Sequence, residues 1–215
     1  MLAIDRDYNA AVAFIDRHVI EGRGNKAAFV DPAREISYAE LSNAVARVGP
    51  VLMRLGLERE NRVVLILHDT VDFPILFWGA IRAGIVPVLI NTLLTSDHYH
   101  YLLEDTRAKV AFVSPSVVPS VLSAAKGVAT LKHIVVVGEQ SDGLQRFDAL
   151  LAAQREPASA AKTCADEVAY WLYSSGTTGM PKGVMHVHST MDFISRLPGR
   201  SRLGFRGDDR VFSTA

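Results

Sequence analysis

Hydroxyls, glycines and one lysine crowd into residues 173–184, Tyr173-Ser174-Ser175-Gly176-Thr177-Thr178-Gly179-Met180-Pro181-Lys182-Gly183-Val184. Gly176, Gly179 and Gly183 permit backbone conformations and close ligand approach that a side chain would block. Four hydroxyls, on Ser174, Ser175, Thr177 and Thr178, precede Lys182. Hydroxyls and successive backbone N–H groups can wrap phosphate oxygens, and the ammonium adds a compact charge. The segment lacks the Gly-Lys-Ser/Thr ending of a Walker A loop, and Pro181 stands before the lysine. It is not a dinucleotide fingerprint either. A Ser/Gly/Thr loop alone reads as a solvated turn that binds nothing. The order of hydroxyls, Pro-Lys-Gly and flanking strands favours phosphate.

Other reactive side chains give weaker signals. His186 and His188, two apart, would share one face of a strand, as metal ligands do. No acidic residue or cysteine stands near until Asp192. Packing, or lining of the phosphate site by His188, is therefore the better reading, and no metal site is assigned. His98 and His100 lie on a predicted helix and do not share a face, so they read as solvated. Cys164 is the one cysteine. It has no neighbouring catalytic histidine and no nucleophilic role, and it excludes an internal disulfide.

Periodicity outlines the framework around the loop. Tyr8, Val12, Ile15 and Val19 predict an amphipathic helix over 6–20. A strand is expected at 27–30. Ser37 and Glu40 form a Ser-x-x-Glu capping box for a helix bearing Leu41, Val45, Val48, Leu52 and Leu55. Pro50 falls inside that helix and is expected to kink or split it. Short Val/Ile/Leu runs predict strands at 62–67, 86–90, 110–113 and 134–137. Helices alternate with them: 71–83 capped by Asp69 or Thr70, one beginning at a Ser96 cap, 117–125 and 147–153. Such alternation implies an α/β fold, a mostly parallel sheet flanked by helices. Residues 1–153 are expected to form one α/β subdomain and 154–166 a polar linker. Residues 167–215 would start a second subdomain, with the strand at 168–173 feeding the loop.

Composition removes whole classes. The 23 basic residues balance 23 acidic ones, which argues against nucleic-acid binding by phosphate neutralisation. Hydrophobic residues at 49% and charged ones at 21% exclude disorder. The most apolar stretch, 71–90, is interrupted by Asp72, Pro74, Arg82 and Pro87, so no membrane span is expected. The N-terminus shows no secretory signal. With a single thiol, a cytoplasmic setting is expected.

The 173–184 segment resembles the phosphate-binding signature of class I adenylate-forming enzymes: acyl- and aryl-CoA ligases, luciferases and peptide adenylation domains. Ile36-Ser-Tyr-Ala-Glu-Leu41 and Phe77-Trp-Gly-Ala-Ile-Arg-Ala-Gly-Ile-Val-Pro-Val88 resemble further elements of that family, in the expected order. His188 matches its Thr-His pair, although Val187 replaces the threonine. Val71–Trp78, Asn91–Thr95 and Tyr101–Arg107 look most like benzoate–CoA ligases and their hydroxybenzoate relatives.

The resemblance implies a ligase that uses ATP, Mg2+ and coenzyme A. A carboxylate attacks the α-phosphate and pyrophosphate leaves; the CoA thiol then attacks the acyl carbon and AMP leaves. It implies that Ser174, Ser175, Gly176, Thr177, Thr178, Gly179 and Lys182 hold the β- and γ-phosphates. Motifs for adenine, magnesium, the acid pocket and the catalytic lysine find no counterpart here. The chain is therefore expected to be an N-terminal part, inactive alone, with no catalytic residue assigned. Its uncovered surface would favour self-association. A non-catalytic interaction domain reusing the fold is the alternative. A kinase-like phosphotransferase lacks an acidic metal-binding motif after the loop.

Overall fold

In the computed structural model, residues 4–139, 143–174, 180–196 and 202–212 are described. Among them the order is a π-helical turn (Val12–Asp16), α1 (Arg17–Ile20), β1 (Ala27–Val30), β2 (Glu35–Ser37), α2 (Tyr38–Arg54), β3 (Arg62–Ile66), α3 (Asp72–Arg82) and β4 (Val86–Leu89). Next come α4 (Ser96–Thr106), β5 (Val110–Val113), a 3-10 turn (Pro115–Val117), α5 (Val118–Ala124), β6 (His133–Val136), β7 (Gln145–Arg146) and α6 (Phe147–Ala152). The last elements are β8 (Val168–Ser174), β9 (Lys182–Val187) and α7 (His188–Ile194).

A seven-stranded sheet runs β7-β6-β5-β3-β4-β8-β9. Every neighbouring pair is parallel except β8 and β9, so the mostly parallel sheet flanked by helices is realised. Alternate residues of each strand enter different cores. Val63, Leu65, Val110, Phe112 and Val135 pack with α2, α3 and Phe147 of α6. Val64, Ile66, Ala111, Val113 and Val136 pack with α4 and α5. Burial on both faces explains why these strands read as continuous apolar runs. α2 and α3 approach so closely that a Cβ on Gly79 would lie 2.4 Å from Val48 Cβ.

Several local expectations are corrected by long-range contacts. The first helix starts near Ala10, not at residue 6, and includes the π-helical turn. Residues 6–8 instead pair with 163–165: Tyr8 N–H donates to the Thr163 carbonyl and Ala165 N–H to that of Arg6. The N-cap of α3 is Val71, which offers no side-chain cap. Asp31 serves instead; its Oδ2 accepts the Val71 N–H at 2.8 Å. That bond first, and backbone bonds from Arg34 and Ala33 with it, hold the Asp31 carboxyl below its usual range. Thr95, not Ser96, caps α4 by accepting from His98 N–H. The Ser37–Glu40 capping box forms as expected.

Pro50 does not split α2, which runs unbroken from Tyr38 to Arg54. A proline has no N–H for the carbonyl four residues earlier, that of Ala46. Ala158 N–H takes that place, donating to the Ala46 carbonyl at 3.0 Å. The 154–166 segment is fastened at a second point as well. Ala161 N–H reaches the Arg82 carbonyl at 2.8 Å, and Arg82 in turn pairs with Asp16 at 3.0 Å. Beyond the segment, β8 enters the same sheet as β3–β7.

Candidate phosphate-binding site

β8 alternates its faces. Trp171 and Tyr173 pack on the α4–α5 side, whereas Tyr170 is buried on the other beside Phe77. The strand lies parallel to β4, with Val88 opposite Trp171 and Leu89 opposite Leu172. Ser174 therefore emerges at the carboxyl ends of the parallel strands, where ligands bind in open α/β sheets. The chain returns as β9, antiparallel, with Ser174 opposite Lys182 and Tyr173 opposite Gly183. Ser174 and Lys182, both exposed, thus form the last pair before the connection. Ser175, Gly176, Thr177, Thr178 and Gly179 lie outside the described residues. Of the predicted phosphate ligands, Ser174 and Lys182 are those the hairpin brings together.

The hairpin leans on α4. Tyr101 Oη donates to the Pro181 carbonyl at 3.3 Å, and Tyr173 Oη donates to Asp105 Oδ2. Burial first, and the bond to Asp105 second, push the Tyr173 phenol upward in pKa, so it stays protonated as a donor. Gly183 makes room for the ring: a Cβ there would meet Tyr173 Cζ at 3.3 Å. Arg62 lies over the Trp171 ring, 5.7 Å from its centroid, and donates to the Thr106 carbonyl at 2.7 Å. The sequence places Tyr101 and Asp105 in the 101–107 stretch of family resemblance but gives them no role at the loop. Their four-residue spacing, which puts both on one helix face, is the available signal.

His186 and His188 do not share a strand face, because β9 ends at Val187 and His188 opens α7. His186 stacks on Tyr170, centroids 4.5 Å apart. His188 is 1% exposed, and its Nδ1 accepts the Ala10 N–H at 3.1 Å. Burial pulls its pKa down to about 4, so it is a neutral acceptor. The described residues place it against the N-terminal segment. Nearby, Arg196 Nε donates to buried Asp192 at 2.9 Å. Among the described residues no cluster of three or more His, Cys, Asp or Glu could hold a metal, and no helix is long and apolar enough to cross a membrane.

The family described as AMP-binding enzyme matches residues 16–215. The chain belongs to that family. It is 60% identical over 210 residues to a 4-hydroxybenzoate–CoA/benzoate–CoA ligase of Rhodopseudomonas palustris, across 98% of this chain and 39% of that protein. It is 43% identical to a benzoate–CoA ligase of Thauera aromatica, across 100% of this chain and 40% of the relative. The fold superposes on the anthranilate CoA ligase AuaEII in complex with anthranoyl-AMP, with a TM-score of 0.90 and 34% identity, over 94% of this chain and 39% of that one. A benzoate CoA ligase from Burkholderia xenovorans LB400 gives 0.84 and 33%, over 92% and 38%. The chain spans about 40% of the length of the curated relatives it matches.

Proposed function

We propose that this chain is the N-terminal, ATP-phosphate-binding part of an aryl acid–CoA ligase that takes benzoate or a hydroxybenzoate. The observation that carries the reading is the hairpin that pairs Ser174 with Lys182 at the carboxyl edge of the sheet. That edge is where backbone donors and an ammonium can meet an anionic ligand. Relatives at 60% and 43% identity named for benzoate support the acid class. The single cysteine supports a cytoplasmic setting.

In this reading Ser174, Ser175, Thr177 and Thr178, with the backbone at Gly176 and Gly179, hold the β- and γ-phosphates of ATP. The exposed Lys182 ammonium is free of any described carboxylate partner and fits a phosphate oxygen. The substrate carboxylate displaces pyrophosphate from the α-phosphorus, giving an acyl-adenylate. CoA thiolate then displaces AMP from the acyl carbon. Negative charge gathers on the leaving pyrophosphate, and donors already aimed at it lower that barrier. Mg2+ and CoA serve the full-length enzyme, and its magnesium ligands are expected outside the described residues.

Binding of labelled ATP to the 215-residue chain by equilibrium dialysis tests the reading. Lys182→Ala is expected to weaken binding at least about tenfold, as for a lost charge-assisted contact. Benzoate-dependent ATP–pyrophosphate exchange by the chain alone is expected to be absent. Equal affinity of wild type and variant, or no binding at all, overturns the phosphate role.

A further inference from the structure

We propose that α4 is the positioning element of the phosphate hairpin: Tyr101 and Asp105, one helical turn apart, hold its two stems and thereby place Ser174 and Lys182. The inference rests on the phosphate reading of the hairpin.

Both contacts fall next to a ligand residue. Tyr101 holds the carbonyl of Pro181, the residue before Lys182, and Asp105 holds the phenol of Tyr173, the residue before Ser174. The two stems differ greatly in their own support. Among the described residues β8 is a central strand with β4 on its other side, whereas β9 is the sheet edge and pairs only with β8. Lys182 through Met185 are all exposed. A strand paired on one side, without a buried face, is weakly fixed. α4 is the opposite: Tyr99, Leu102, Leu103 and Thr106 are buried to 0% exposure in the core beneath it. A rigid element therefore holds the loose stem through Tyr101 and the strand it pairs with through Asp105.

Gly183 completes the device. It lies opposite Tyr173, and its missing side chain leaves room for the ring whose phenol bonds Asp105. A Cβ at 183 would stand 3.3 Å from Tyr173 Cζ, so the ring would have to give by a few tenths of an ångström. Pro181 contributes a fixed φ at the point where Tyr101 grips, which limits how the lysine can swing. A site is only as precise as the shell that supports it, and displacement of about 1 Å matters to a charge aimed at a phosphate. Tyr101 and Asp105 touch no reacting atom in this arrangement; they are positioning residues.

The test compares Tyr101→Phe, Asp105→Ala, the double variant and Asp105→Asn with wild type and Lys182→Ala. Equilibrium dialysis reads affinity for ATP and for pyrophosphate, and amide hydrogen exchange reads residues 172–174 and 180–184. Each single variant is expected to weaken both ligands about three- to tenfold, the range of one net hydrogen bond. Exchange at the two stems should quicken while that of β3 and β5 stays unchanged. Asp105→Asn keeps an acceptor for the phenol and should restore most of the affinity, which a nonspecific packing loss would not. The inference is overturned, with the phosphate reading intact, if Lys182→Ala abolishes binding while the double variant binds as wild type does. It is likewise overturned if affinity falls without faster exchange at the stems. If wild type binds neither ligand, or Lys182→Ala leaves binding unchanged, the phosphate reading fails and this inference with it.

Discussion

β5 and β9 belong to the same sheet and are built to opposite standards. Val110–Val113 is buried at every position, between Phe147 on one face and the α4–α5 helices on the other. Lys182–Val187 is exposed over its first four residues and occupies the sheet edge. The first is framework, where two buried faces supply the stability. The second carries the lysine that the proposed reading assigns to phosphate, and its order comes from its neighbours β8 and α4. In the proposed reading stability and ligand binding sit on different strands, and a substitution should report which kind of strand it touches.

The strongest test of that division is Phe112→Ala. Phe112 is fully buried and meets the Phe147 ring edge-on at 5.6 Å. Truncation should cost about 3–5 kcal/mol, lowering the urea midpoint sharply, while molecules still folded bind ATP as before. Loss of ATP affinity in the folded population would break the separation. Next comes His188, which follows β9 and ties it to the N-terminal segment through Ala10. Its pKa when folded is depressed to about 4 from 6.5, so the unfolded chain takes up the proton first. The His188 contribution to stability should therefore be flat above about pH 6.5 and fall as pH drops toward about 4. The slope should approach about 1.4 kcal/mol per pH unit. His188→Asn should flatten that slope in urea titrations run across the window; an unchanged slope would remove His188 as its source. The smallest effect is expected on the edge itself. Met185 is 62% exposed, and Met185→Thr should change stability by less than about 0.5 kcal/mol. A larger loss in thermal melts would mean that β9 is buried in solution, against a second copy of the chain or another partner.

Legibility in the sequence tracks the range of the interactions. The capping box at Ser37 needs residues three apart, and it is legible. The parallel strands announce themselves because burial on both faces leaves no polar alternation to misread. Asp69 and Thr70 are the local candidates to cap α3, but its acceptor, Asp31, lies forty positions upstream of Val71. Apolar spacing draws the first helix too long, because it does not register that residues 6–8 pair with 163–165. A spacing of two puts His186 and His188 on one strand, and a helix start at 188 undoes that. At the candidate site, the motif names Ser174 and Lys182, which the hairpin pairs. Tyr101 and Asp105 fall in the separate 101–107 stretch of resemblance, which does not reveal that they touch the hairpin.

A proline inside a helix is ordinarily counted as damage, yet Pro50 acts as a condition on the rest of the fold. α2 alone presents the Ala46 carbonyl without its helical donor, at a residue that is 7% exposed in the finished molecule. Were 154–166 to dock elsewhere and leave that oxygen dry, the unmet acceptor would cost about 1–3 kcal/mol. The observed crossing brings the Ala158 amide to it. A path that left this oxygen dry is thus penalised by a vacancy created early in the chain, and the segment that leads to β8 answers what the helix lacks.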